Sequence, residues 1–435
     1  MTPVLEFLIL ILGLAVLIYT AMKGLNVIVM APVAAVLIAV LSRMEILPAY
    51  LETFMTGAVG YIKSFFPMFM GGAILGRIMQ DSGAAEAIAR WIIKGIGPKY
   101  AALAVVLACA VLTYGGVSLF VVVFTMFPLG MALYKEANIP KHMLAAAIAL
   151  GSFSFTMAAF PGSPQIQNII PTKFFGTTAS AAPITGIIAG LVMWAIGQWY
   201  LEKKTRQYQK EGRGFVPGPN DFIPPEGADL PHPLISLLPL VLTIITLNFL
   251  RQDVVVALAA GVLLGLILWW KRLVNKGKTL EAGATEATIA MFNTASVVGF
   301  GAVVAAAPGF AVFKDLVLSI PGNPLVSLAV STNLLAGVSG SASGGLNIAL
   351  NALAQNYLAL GVNPQLAHRI STIACGALDT LPHNGAIVTL FKVVGTTHKE
   401  AYGDIMWVSI WNQLIANAVA IGVGLLLLAV GSPVL

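Results

Sequence analysis

The 435-residue sequence predicts an all-α polytopic membrane protein made of two inverted repeats, each with about five spanning helices, a re-entrant hairpin and a proline-broken helix. Three observations predict this. The chain is 58% hydrophobic and only 10% charged, with mean hydropathy of +0.89, which excludes an ordinary soluble globule. A single long polar stretch, 202–232, divides it near the middle. Interruptions rich in Gly, Ser and Pro then recur in the same order on either side of that stretch, as in secondary transporters built from repeats.

The first half, 1–201, opens with apolar runs at 4–22 and 26–42, close to the roughly 20 residues a crossing needs. The first run lacks a basic region and a small-residue cleavage site, so it reads as a spanning helix and not as a removed signal. A third span, 53–79, contains Pro67 and Gly71-Gly72, which should bend it. Residues 84–96 carry Glu86, Arg90 and Lys94 at i, i+4 spacing and read as an interfacial amphipathic helix. The apolar segment 100–134 is broken at Tyr114–Ser118. Next come 142–159, the break Phe160–Asn168, a short piece ending at Lys173-Phe174-Phe175-Gly176-Thr177-Thr178, and a plain span at 183–201.

The linker carries Lys203, Lys204, Arg206, Lys210 and Arg213 and then Pro and Gly, so it reads as a loop. The second half, 233–435, repeats the order: spans at 233–250, 254–270 and 286–308, an amphipathic piece at 309–320, a broken segment at 324–358, a Pro-interrupted span at 365–396 and a last span at 405–430. Residue matches accompany the hydropathy. Gly97-Pro98 answers Gly322-Asn323-Pro324; Gly115-Gly116-Val117-Ser118 answers Gly344-Gly345-Leu346-Asn347; Lys173-x-x-Gly176-Thr177-Thr178 answers Lys392-x-x-Gly395-Thr396-Thr397.

With the linker in the cytoplasm and five crossings per half, the N-terminus falls outside. Most Lys and Arg then lie on the cytoplasmic side, and only Arg43, Arg251, Lys314 and Arg369 fall outside. An odd number of crossings inverts one half relative to the other. The net charge of +6 is thus a topology signal and not a nucleic-acid footprint. Cys109 and Cys375 lie in apolar segments and read as small hydrophobes without a disulfide framework. His142, His232, His368 and His398 read as loop-edge residues without metal-ligand spacing, so neither a metal nor another cofactor is expected.

Chemistry should concentrate at four irregular segments that meet near the midplane. Broken helices there expose free N–H groups and a partial positive charge suited to an anion. The candidate binding residues are Gly115, Gly116 and Ser118 at the first tip, and Ser341, Ser343, Gly344, Gly345 and Asn347 at the second. In the breaks they are Pro161, Gly162, Ser163, Gln165 and Asn168, and then Thr380, His383 and Asn384. Asp379 and His383 are ionisable groups at membrane depth and the candidates for proton coupling. The first break offers neutral donors but no charge. Lys173 and Lys392 invite a counter-ion role, but lysines near helix ends are expected to snorkel to the interface.

Gly337-Val338-Ser339-Gly340 with His383 downstream is similar to the rhomboid intramembrane serine proteases. The matching break in the other half lacks any His, so an enzyme ranks last. A passive channel is disfavoured because no ring of like side chains appears.

The order of spans, the Gly-Ser-Ala-Ser-Gly-Gly-Leu-Asn tip at 340–347, Pro161-Gly162-Ser163-Pro164 and Leu381-Pro382-His383-Asn384 together resemble the gluconate permease family, part of a larger ion-transporter superfamily. The resemblance covers essentially the whole chain. It implies proton-coupled uptake of a small hydroxy-carboxylate across a bacterial inner membrane. It further implies a homodimer in which a scaffold domain flanks a transport domain that moves in an elevator-like way. The family pattern has a His in the first break where this chain has Phe160, which points to a shorter acid such as 3-hydroxybutyrate beside gluconate itself. Sodium-coupled transport of a citrate-like carboxylate is the alternative.

Overall fold

A computed structural model describes residues 2–23, 25–217, 229–382 and 384–431, and every regular element among them is helical. Apart from short 3-10 and π turns, the first half runs α1 (Pro3–Met22), α2 (Val27–Leu41), α3 (Ile46–Asp81), α4 (Ala84–Ile96), α5 (Ala101–Tyr114), α6 (Leu119–Glu136), α7 (Met143–Ser152), α8 (Ile166–Phe175) and α9 (Pro183–Lys210). The second runs α10 (Pro233–Asn248), α11 (Val254–Trp269), α12 (Lys276–Ala306), α13 (Gly309–Leu318), α14 (Pro324–Ser339), α15 (Ala342–Ala359), α16 (Pro364–Ala374), α17 (Gly385–Val394) and α18 (His398–Ala429). Adding nine to a first-half label therefore names its counterpart.

Packing obeys the same rule. Helix α1 packs on α13 as α10 packs on α4; α2 packs on α12 as α11 packs on α3; α8 packs on α15 as α17 packs on α6. Two pairs are their own reciprocals, α3 with α12 and α9 with α18. Such reciprocity is the contact pattern of two halves related by a two-fold axis.

Local chemistry explains why the elements recur. Asn26 caps α2 by accepting from Ile28 N, and Asp253 caps α11 by accepting from Val255 N, both at 2.8 Å. The matched Lys-x-x-Gly-Thr-Thr motifs are helix ends. Gly176 and Gly395 close α8 and α17 at φ of 63° and 68°, a left-handed conformation where a side chain is strained. Lys173 and Lys392 occupy the last turns, where a cation offsets the helix dipole.

Exposure then separates lipid from core. Helices α1, α2, α10 and α11 leave large apolar side chains such as Leu8, Val33, Leu238 and Leu263 on the outside. By contrast α7 is buried at every residue and α16 from Leu366 to Ala374, so both proline-broken helices are enclosed by protein. Six helices among the described residues are long and apolar enough to cross a membrane, and six shorter apolar helices accompany them.

Three expectations need correction. Residues 202–210 are not loop but continue α9, carried by i, i+4 hydrogen bonds such as Gln198 Nε2 to Glu202 and by the buried Thr205 and Tyr208. Arg369 does not lie in an outer loop and His368 is not at a loop edge; both are fully buried in α16. Finally, α12 starts at Lys276, a full ten residues before the expected 286.

Candidate functional site

Each break is tied to a hairpin tip, though by different means. At the first, α5 ends at Gly115 and Gly116, the latter at φ 97° with its α-carbon against Pro164. Gln165 Nε2 donates to Thr113 O at 2.6 Å, and Tyr114 Oη donates to Pro161 O at 2.8 Å. Ser118 caps α6, its Oγ accepting from Val121 N, while the buried Ser163 Oγ accepts from Gln165 N. Gly162 is again left-handed and its carbonyl accepts from Asn248 Nδ2 at 2.7 Å. Phe160 turns its ring onto Tyr114 and Phe155, against Gly190 of α9.

Arg369 holds this break from the other half. Its Nη1 donates to Asn168 Oδ1 at 2.9 Å, Nη2 and Nε donate to Ala181 O, and Nη2 also reaches Ala179 O. Asn168 in turn donates to Ser163 O and Ala179 O. Among the described residues no carboxylate pairs with this guanidinium. Beside it, His368 Nδ1 and Thr177 Oγ1 share a 2.7 Å hydrogen bond, which gives the Thr of the first Lys-x-x-Gly-Thr-Thr motif its role.

At the second break, Asn384 does several jobs. Its Oδ1 caps α17 by accepting from Ala386 N and Ile387 N; its Nδ2 donates to Gly340 O at the hairpin tip and to Asp379 O. Thr380 is buried, bonded to Ala377 O and to Ser409 Oγ. Asp379 Oδ1 is shut off from solvent, and its carboxylate faces the backbone of Thr380 and of Ala342, the first residue of α15. Ser341 caps that helix by accepting from Gly344 N. Gly345 lies directly on the Ala336 backbone, and the buried Ser343 faces Tyr61 of α3. His383 lies outside the described residues. Ser339 spends its hydroxyl on Ala336 O and Ser341 O, an arrangement of a turn and not of a nucleophile.

Between the α3–α12 pair and the α8–α15 pair lies a chamber of about 680 Å³, within the range that small-molecule sites occupy. Asn347, among the expected site residues, lines it together with Glu52, Thr56, Tyr61, Ser64, Lys173 and Asn351. Lys173, exposed at the end of α8, donates from Nζ to Ser64 Oγ at 3.0 Å. Lys392, its counterpart, is likewise exposed but does not line the chamber.

The sequence left a usable signal for Asn351, which follows Asn347 by one helical turn and so shares its face. For Arg369 it left none, because its partners are the Asn168 side chain and backbone carbonyls of the other half.

A multi-pass helical protein whose two halves each break a helix beside a re-entrant tip has the build of a membrane transporter, and the comparisons agree. The GntP family permease model matches residues 4–258, more than half of the chain, and the chain belongs to that family, whose members are transporters and not enzymes. It is 38% identical to the uncharacterized transporter YxjC of Bacillus subtilis, over 95% of this chain and 98% of that one. A high-affinity gluconate transporter of Escherichia coli is 26% identical over 58% of this chain and 56% of its own. In three dimensions the Alcanivorax borkumensis YdaH transporter shares the fold, with a TM-score of 0.58 over 88% of this chain and 90% of that one at 15% identity.

Proposed function

We propose that the protein is a secondary active transporter that carries a small hydroxy-carboxylate, gluconate or a shorter acid such as 3-hydroxybutyrate, across the bacterial inner membrane together with a proton. The observation that carries this reading is Asp379 facing the backbone of Ala342 at the start of α15. An ionised carboxylate there occupies the positive end of the helix that also bears Ser343, Gly344 and Asn347. A substrate anion competes for the same field. Protonating Asp379 removes the competition, so proton and anion favour each other's binding, and positive coupling of two ligands is the thermodynamic core of symport.

On this reading the substrate meets the tips at Gly115, Gly116, Ser118, Ser341, Ser343, Gly344, Gly345 and Asn347 and the breaks at Pro161, Gly162, Ser163, Gln165, Asn168, Thr380, His383 and Asn384. Asp379 carries the proton, and His383 is the second candidate for it. The repeats, 1–201 and 233–435, lie inverted about the linker 202–232, with the linker cytoplasmic and the N-terminus outside. Helices α1–α4 and α10–α13 form the scaffold of a homodimer, and the remaining helices form the unit that moves in an elevator-like way.

The test is uptake of labelled gluconate, 3-hydroxybutyrate and citrate into proteoliposomes under imposed proton or sodium gradients. Proton-driven uptake of a hydroxy acid that Asp379→Asn uncouples from the pH gradient is the expected result. Uptake that follows the sodium gradient alone would replace the proton reading with sodium coupling. An Asp379→Asn variant that keeps its response to pH would remove this carboxylate from the mechanism.

A further inference from the structure

The chamber between α3, α12, α8 and α15 has no part in the argument from Asp379, yet its walls are chemically specific. Lys173 Nζ reaches in from the end of α8 and meets Ser64 Oγ; among the described residues no carboxylate pairs with it. Glu52, on the π turn that opens α3, lines the same space and is likewise unpaired among the described residues. Asn347 and Asn351 line it from one face of α15, and Thr56, Ser64 and Tyr61 from α3. The Tyr61 hydroxyl is buried beside Ser343 of α15. One cation, one anion and a row of neutral donors and acceptors thus face a space with ample room for a small hydroxy acid.

We infer that this chamber extends the substrate site beyond the second tip, joined to it at Asn347, with Lys173 anchoring a single carboxylate, Asn347 and Asn351 meeting the hydroxylated body, and Glu52 turning away acids with a second charge. The inference rests on the carboxylate-transport reading above and adds to it an anchor and a charge filter. A carboxylate on Lys173 adds ion pairing to a cation that otherwise meets only the Ser64 hydroxyl among the described residues. A second carboxylate enters a space whose remaining ionised group has the same sign and repels it. The chemistry selects polyhydroxy monocarboxylates over dicarboxylates of equal length.

The full-length protein in proteoliposomes tests this with labelled gluconate and its six-carbon dicarboxylate relative, glucarate. Lys173→Gln should raise KM for gluconate about tenfold or more, and Lys173→Arg should restore most of it. Glu52→Gln should raise glucarate uptake relative to gluconate by about tenfold. A third readout does not depend on turnover. Cys109 and Cys375 are fully buried and Asn351 is exposed, so Asn351→Cys gives one accessible thiol for a maleimide, and gluconate should slow its labelling. Lys173→Gln with wild-type KM, or labelling that gluconate leaves unchanged, would overturn the site while wild-type uptake still upholds carboxylate transport. Glucarate selectivity unmoved by Glu52→Gln would overturn the filter. A wild type that takes up neither acid would overturn the transport reading and this site with it.

Discussion

The two proline breaks are counterparts in the repeat, yet they are held in opposite ways. The first is held from across the molecule: Arg369, Asn248 and Thr372, all of the second half, bond to Asn168, Gly162 and Gln167. The second is held by its own half, through Asn333 on Leu378, Asn384 on Gly340, Ser409 on Thr380 and Tyr402 on Thr380. The first contains no ionisable residue and borrows a buried cation, whereas the second contains Asp379. A segment clamped by a distant helix is fixed relative to that helix. Among the described residues the second break takes its hydrogen bonds from its own hairpin and last span, and it meets the opposite half through the packing of α17 on α6. Repetition of the fold has thus been kept while the mechanical duties of the two copies diverged.

The largest expected effect comes from cutting the clamp on the first break. Arg369→Met strands Asn168 and the carbonyls of Ala179 and Ala181, each a buried polar group that costs about 1–3 kcal/mol when left unpaired. The unfolding temperature in detergent should fall sharply, with Arg369→Lys in between. A variant as stable as wild type would mean that the clamp is ornamental and the contrast between the breaks empty.

A smaller difference separates the caps. Asn384 accepts two backbone N–H groups and donates to two carbonyls, whereas Ser118 makes a single cap bond of 3.4 Å. Asn384→Ala should cost about 2 kcal/mol and Ser118→Ala about 0.5. Equal losses in chemical unfolding would show that the second tip depends on its break no more than the first does.

The smallest effect tests the lending of charge in another place. Asp404 of α18 accepts from Tyr200 of α9 at 2.7 Å and stands 3.9 Å from His142 Nε2. Burial holds the His142 imidazole below its usual 6.5; Asp404 and Glu400 pull it up, and Arg213 and Lys204 push it down. A base with a lowered folded value favours the fold when neutral. Its contribution is whole above pH 6.5 and is lost as pH falls from there toward the lowered value, because only the unfolded chain takes up the proton. Unfolding temperatures compared at about pH 7.5 and about 5.5 should fall more for wild type than for His142→Gln. An equal fall in both would place the sensitivity elsewhere.

Much of this was legible in the sequence, and the limits have physical causes. The first tip and both breaks stand where the Gly-Ser and Pro runs put them, but the second tip is narrower than expected: α14 runs to Ser339, Ser341 caps α15, and Ser343, Gly344, Gly345 and Asn347 are helical, just as Pro67 and Gly71-Gly72 lie inside an unbroken α3. The positions of Arg369 and Lys173 were not legible. Arg369 follows Pro364 and a turn, the usual place for an outer-loop charge, and what draws it inside is the geometry of residues 158–181. Lys173 has the stem to snorkel, and only the placement of Ser64 on α3 decides that it turns into the chamber. Helix α9 outran its expected end because polar residues at i, i+4 spacing make a helix as well as a linker.

One further property follows from Gly345. With its α-carbon against the backbone of Ala336, the two arms of the second hairpin touch main chain to main chain, leaving no room for a side chain between them. Close-packed interiors resist deformation, and here even a rotamer change has no space in which to occur. The hairpin is therefore a plug and not a flap. On the elevator-like motion proposed above, such a hairpin would shift as one wedge against α12 without parting its arms.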